Sequence, residues 1–265
     1  MKTLLISFLI STTLIFAQGG RGGPPQPPKA GRDAAPVDLT GNWVSVVTED
    51  YRWRMVTPLK GDAANIPYRA SSRALIDAWD PATDEAAGLQ CKSYGAPALM
   101  RVPGRLRITW QDENTLKIEA DAGTQTRLLR FQTGNGLATA PAGAEKSWQG
   151  FSAARWELPT RAASGGIPGF ILGGGQRVGT ASRSLQVITT NLRDGYLRKN
   201  GIPYSDQTKV TEYFDRFGEP NGDEWFTVTT IVEDPVHLAV PYITTTDFKK
   251  ERDGAKFAPT ACSAR

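Results

Sequence analysis

The chain has 265 residues, a net charge of +4 and a single histidine, a length that suits one large all-β domain or two small ones. The charge is concentrated at one end: Lys2, Arg21, Lys29 and Arg32 against Asp33 place +3 within residues 1–36 and leave about +1 on everything after them, so no basic stripe marks a nucleic-acid partner. With His237 as the sole histidine and Cys91 and Cys262 as the sole cysteines, a zinc site of the usual His/Cys kind is not expected and any Ser-His-Asp or Cys-His arrangement has one possible base.

Residues 1–17, MKTLLISFLISTTLIFA, are expected to form a cleaved secretory signal, with Lys2 as the positive start, an apolar run from Leu4 to Phe16 and Ala17 before the cut. That run is short for a bilayer span and no second one follows, so no membrane insertion is expected. Gln18, not a cysteine, stands directly after the cut, so no lipid anchor is expected. The mature protein is therefore expected in the periplasm or outside the cell. Residues 18–36, rich in Gly and Pro, read as a flexible tether. In an oxidising compartment two cysteines are expected to pair. The bond would tie the C-terminal tail to the region that begins at Cys91, whereas a reactive or metal-binding cysteine would lack a nearby histidine.

The folded domain, 37–265, opens with DLTGNWVSVV, in which Gly41 and Asn42 turn the chain and Trp43, Val44, Val46 and Val47 begin a strand. A Gly-x-Trp opening is also what lipocalins and other calycin barrels show. The spacing of Ala74, Leu75, Ala78 and Trp79 predicts a helix over 71–79, capped by Ser71 or Ser72 and ended by Pro81. Asp77, Asp80, Asp84 and Glu85 follow as an acidic cluster without the spacing of an EF-hand, so a solvated turn is expected. From Cys91 to Asp121 runs a Gly/Pro turn and then a hairpin. Leu106, Ile108 and Trp110 alternate with Arg107 and Thr109, and Leu116 and Ile118 with Lys117 and Glu119.

Further strands are predicted at 124–131, 148–157, 185–190, 208–217, 225–234 and 242–249. The stretch 158–184, with its Gly173-Gly174-Gly175 run, breaks the rhythm and reads as a long surface loop. It lacks the Gly-Lys-Ser/Thr of a phosphate loop. Eight or nine strands with one short helix predict a mainly β fold, an antiparallel β-barrel of lipocalin-like architecture or a curved β-sandwich, since closure protects strand edges.

Several stretches in order, ALIDAWDPATDEAAGLQCKSYGAP at 74–97, WQGFSAARWE at 148–157, NGIPYSDQTKVTEYFDR at 200–216, TIVEDPVHLAVPY at 230–242 and the near-terminal Cys262, resemble a widespread family of exported bacterial β-rich proteins of unassigned function. The resemblance implies a secreted β-rich domain and transfers no catalytic residue. The 158–184 stretch departs from the family's pattern, in which the Trp-Glu strand leads almost directly to the next.

For function, the strand 210–216 places Glu212 and Arg216 on one face with Val210 and Phe214, and Arg155 flanks Trp156. Charges interleaved with aromatics suit a cavity that orients a small molecule by a few polar groups, or else face solvent while the aromatics fill the core. Tyr51, Arg52, Trp53 and Arg54 alternate aromatic and cation and are the best surface candidate for stacking. The expected function is binding of a small apolar or aromatic ligand in a β-barrel cavity by a monomer, with Trp53, Arg155, Trp156, Glu212 and Arg216 as contacts and with no cofactor and no metal. An alternative is an acid/base enzyme using Glu212, Tyr213, Asp234 and His237. A third class is a surface interaction module displayed on the tether.

Overall fold

The computed structural model describes residues 31–133, 136–157 and 184–265. The expected signal, most of the tether and residues 158–183 of the Gly-rich stretch lie outside the described residues. Nine strands close into a barrel: β1 (Gly41–Val46), β2 (Arg105–Asp112), β3 (Thr115–Ala120), β4 (Gln125–Phe131), β5 (Phe151–Glu157), β6 (Ser184–Thr190), β9 (Lys209–Gly218), β10 (Glu224–Glu233) and β11 (Tyr242–Glu251). Around the ring they run β1-β11-β10-β9-β6-β5-β4-β3-β2. Two further short strands, β7 (Gly195–Arg198) and β8 (Ile202–Tyr204), pair only with each other.

Every neighbouring pair is antiparallel except β4 and β5, which are parallel through Leu129 opposite Ser152 and Phe131 opposite Ala154. The all-antiparallel expectation therefore fails at one junction, for a topological reason. Strand direction cannot alternate all the way round a ring of nine, so one junction must join like directions. The connection over 132–150 returns the chain to the starting end of β4 before β5 begins.

Period-two alternation puts one face of each strand inside. The interior is filled by large side chains, as a barrel of this strand number permits. Trp43 meets Phe226 edge-on at 4.6 Å between ring centroids, and Phe226 stacks on Phe248 at 4.8 Å. At the far end, where β2, β4 and β5 finish, Trp110 and Trp156 both pack on Phe131 at 5.5 Å. There Trp156 Nε1 donates to the Gly31 carbonyl, and Gly31 N donates to Asn114 Oδ1.

The opposite end, the mouth, carries the connecting segments. Four short helices stand here: α1 (Tyr51–Arg54), α2 (Arg73–Ala78), α3 (Pro81–Ala86) and α4 (Ala96–Leu99). The predicted helix corresponds to α2 and a preceding 3-10 turn at Ala70–Ser72. Ser72 does not cap it, because its hydroxyl is engaged with His237 Nδ1 at 2.9 Å. Pro81 does end α2 but also starts α3, whose N-cap Asp80 accepts from Ala82 N at 3.0 Å. Asp84 departs from the solvated turn that was expected. It is buried, accepting from Tyr196 Oη at 2.8 Å and Lys92 Nζ at 2.9 Å.

The β7–β8 hairpin and α4 cover the mouth and contribute a second apolar cluster with Leu197, Ile202, Tyr204, Val210 and Tyr242. Cys91 and Cys262 form a disulfide on this side, with Cα atoms 5.1 Å apart. Among the described residues no helix is long and apolar enough to cross a membrane.

Candidate functional site

Along β4 the inward positions are Arg127, Leu129 and Phe131, and along β9 they are Val210, Glu212 and Phe214. Arg127 and Glu212 meet inside the barrel with both side chains fully buried. Nη1 donates to Oε1 at 3.0 Å and Nη2 to Oε2 at 2.6 Å, a bidentate pair, while Nη2 also lies 3.2 Å from Thr189 Oγ1. Val210 belongs to the cluster under the mouth and Phe214 to the main barrel cluster. Glu212 thus sits at the seam between two apolar bodies, where an isolated carboxylate would be prohibitive and a paired one is tolerated.

The residues selected from the sequence do not gather in one site, although His237 N donates to Asp234 Oδ1 at 3.3 Å. Tyr213 follows Glu212 on the same strand and must face outward. Its hydroxyl accepts from Gln186 Nε2 at 2.8 Å on the outer surface. Arg216 does not reach Glu212; it pairs with Glu224 at the far end. Arg155 is exposed on the outer face, and Trp156 closes the far end. His237 is held at the mouth by Ser72, and its carbonyl accepts from Arg69 N at 2.7 Å. Glu212 and Tyr213 thus lie on opposite faces of β9, and the four residues do not share one cleft.

Asp234 is a buried turn anchor. It accepts from Ser205 N at 2.7 Å, Ser205 Oγ at 2.8 Å and Val236 N at 2.8 Å. Burial pushes its pKa up, but these donors together outweigh that and hold the carboxyl below its ordinary value. A depressed folded-state pKa adds stability that is fully present above the unfolded value, about 4, and is lost as pH falls through the folded one. Urea midpoints followed from pH 6 to pH 2 are expected to fall less steeply for Asp234→Asn than for the wild type, from a lower starting value at pH 6. Parallel profiles would contradict this.

The arrangement with ligand chemistry lies at the mouth and includes Trp53. α1, the stretch 93–103 and the end of β7 enclose a pocket of about 50 Å³. Its wall carries four cations, Arg54, Arg101, Arg198 and Lys199, and no carboxylate. Arg54 is only 8% exposed; its Nε donates to the Arg101 carbonyl at 3.1 Å and its Nη1 to Glu49 Oε1 at 2.8 Å. Arg101 Nη2 donates to Asp50 Oδ2 at 2.5 Å. Arg198, 7% exposed, donates from Nη1 to the Ala64 carbonyl at 2.8 Å and lays its guanidinium over the Trp53 ring at 4.9 Å. Lys199 Nζ stands over the Tyr94 ring at 5.3 Å.

Glu49 and Asp50 thus balance Arg54 and Arg101, while Arg198 and Lys199 rest against aromatic faces. Burial, and then the charge of Arg101, pull the Arg54 guanidinium below its ordinary pKa against the opposing pull of Glu49 and Asp50. Arg54 Nη2 and Arg198 Nη2 are both buried and have no hydrogen-bond partner among the described residues. An unmatched buried donor on a charged group costs on the order of 1–3 kcal/mol or more, and here two such donors belong to arginines that line one small pocket.

Of this set the sequence pointed to Trp53 and, beside it, Arg54 in the aromatic–cation alternation. Arg198 and Arg127 were missed. Arg127 was legible in principle, since it shares an inward register with Leu129 and Phe131. No family model matches the chain, and no curated protein or solved structure shows significant similarity to it.

Proposed function

We propose that this is an exported small-molecule-binding protein whose barrel is a scaffold and whose ligand presents an oxyanion, a carboxylate or phosphate-like group, to the cationic pocket at the mouth. The observation that carries this reading is the pair of unpartnered Nη2 groups on the buried arginines Arg54 and Arg198. Carboxylates and phosphates match guanidinium donors in charge and geometry. A disulfide in the fold and the signal-like residues 1–17 support export. The filled barrel interior favours the mouth over the barrel axis as the place for a ligand.

Titration with acetate or inorganic phosphate, followed on the nitrogen-labelled arginine side-chain resonances, is expected to shift the Arg54 and Arg198 signals together and saturably. Arg198→Met, which keeps much of the aliphatic contact with Trp53, is expected to weaken binding by roughly tenfold or more, in line with loss of a charge-assisted hydrogen bond. Absence of a shift at both arginines with either anion would overturn the proposal.

A further inference from the structure

The mouth pocket is far smaller than the several hundred Å³ of an ordinary ligand site. At about 50 Å³ it takes a head group and little else, so the rest of any ligand must lie outside it. Beside it the segment 51–59 exposes large apolar side chains. Val56, on the pocket wall, is 64% exposed, and in the same segment Tyr51, Met55 and Leu59 are 66%, 51% and 74% exposed. Four of the nine large hydrophobic residues exposed among the described residues thus fall within 51–59. Chance scatter of exposed apolar residues needs no explanation, but a cluster beside a cationic pocket does.

The charges decide what covers this cluster. Over 49–62 three acids, Glu49, Asp50 and Asp62, equal in number the three bases Arg52, Arg54 and Lys60, so this segment carries no net positive charge to offer an anionic bilayer. Arg198 and Lys199, which form no salt bridge among the described residues, are on the pocket wall. Attraction is therefore aimed at a single anionic group that enters, with apolar matter following behind it.

Resting on the oxyanion reading above, we infer that the ligand class is a free, single-chain amphiphile with a carboxylate head, seated between Arg54 and Arg198, whose hydrocarbon chain lies over Val56, Met55 and Leu59. The head pairs with these two arginines, which line the pocket, and the chain removes from water the apolar surface that the fold leaves bare.

The test compares acetate, decanoate and decanol below their aggregation concentrations by isothermal titration, on the wild type, Arg198→Met and the double change Met55→Ser/Leu59→Ser. Decanoate is expected to bind at least about tenfold more tightly than acetate, because each methylene buried adds to affinity. The double change is expected to bring decanoate down toward acetate while sparing acetate. Arg198→Met is expected to weaken both acids. Decanoate no tighter than acetate overturns the amphiphile inference and leaves the oxyanion reading standing; failure of both acids to bind overturns both. Decanol binding as tightly as decanoate overturns the role given to the head. Binding to anionic lipid vesicles without binding to monomeric decanoate overturns the free ligand in favour of a membrane surface.

Discussion

Glu212→Gln is expected to destabilise the protein by roughly 3–5 kcal/mol, the range seen when one partner is removed from a buried ion pair. The amide keeps the shape of the site but leaves the Arg127 guanidinium uncompensated, with Nε already lacking a partner among the described residues. The neighbouring hydroxyls of Thr189 and Ser152 stand 3.2 and 3.5 Å from Nη2 and cannot neutralise a charge. Urea unfolding followed by far-ultraviolet circular dichroism reads the loss. Should the single variant fail to fold, the paired change Arg127→Met/Glu212→Leu keeps the claim testable. It removes both charges at similar volume and is expected to recover most of the stability, as replacement of whole buried pairs by apolar residues generally does. A Glu212→Gln protein within about 1 kcal/mol of the wild type, or a paired variant no better than the single one, would show that the interior does not depend on charge matching.

Removing the Cys91–Cys262 bond by Cys91→Ser/Cys262→Ser is expected to cost about 2–5 kcal/mol. The cysteines are 171 residues apart, and the chain-entropy account gives an upper figure of about 5 kcal/mol for so long a loop. For a domain of this size that corresponds to a fall in Tm of roughly 4–20 °C, at about 2–4 °C per kcal/mol. The tail is also held by Thr260 N donating to the Asp121 carbonyl at 2.9 Å and Thr124 Oγ1 to the Thr260 carbonyl at 2.8 Å. Local loosening near the C-terminus is therefore expected to show in amide exchange before the barrel opens. Acetate affinity is expected to change little, because neither cysteine lines the mouth pocket. Free thiols in peptide maps of the exported protein, with identical migration on reducing and non-reducing gels, would contradict the bond itself.

The barrel was largely legible in the sequence, because each of its strands carries its own evidence. In β2, Leu106 and Ile108 alternate with Arg105 and Arg107, and in β10, Phe226, Val228, Thr230 and Val232 alternate with Thr227, Thr229 and Ile231. Such a pattern specifies both the strand and the face it buries. Strand β8 escaped because Ile202–Tyr204 is three residues long, with a proline in the middle and no alternation to read. The hairpin it makes with β7 exists because it covers the mouth, a role that depends on the barrel already being there.

The site was much less legible. Adjacent residues such as Glu212 and Tyr213 are close in sequence and carry complementary chemistry, yet the pleat sends one into the core and the other to the surface. Arg127 and Glu212, 85 positions apart, are brought together by the ring order of the strands, which local pattern does not encode. The same holds for Arg54 and Arg198, which belong to a four-residue helix and a two-stranded hairpin. The sequence by itself determined a disulfide-linked, β-rich, nearly neutral domain behind a signal-like segment, since composition and period-two alternation are local quantities. Tertiary structure alone decided the parallel junction, the charge pair at the seam and the cationic pocket at the mouth, because each depends on which distant strands and loops come to lie side by side.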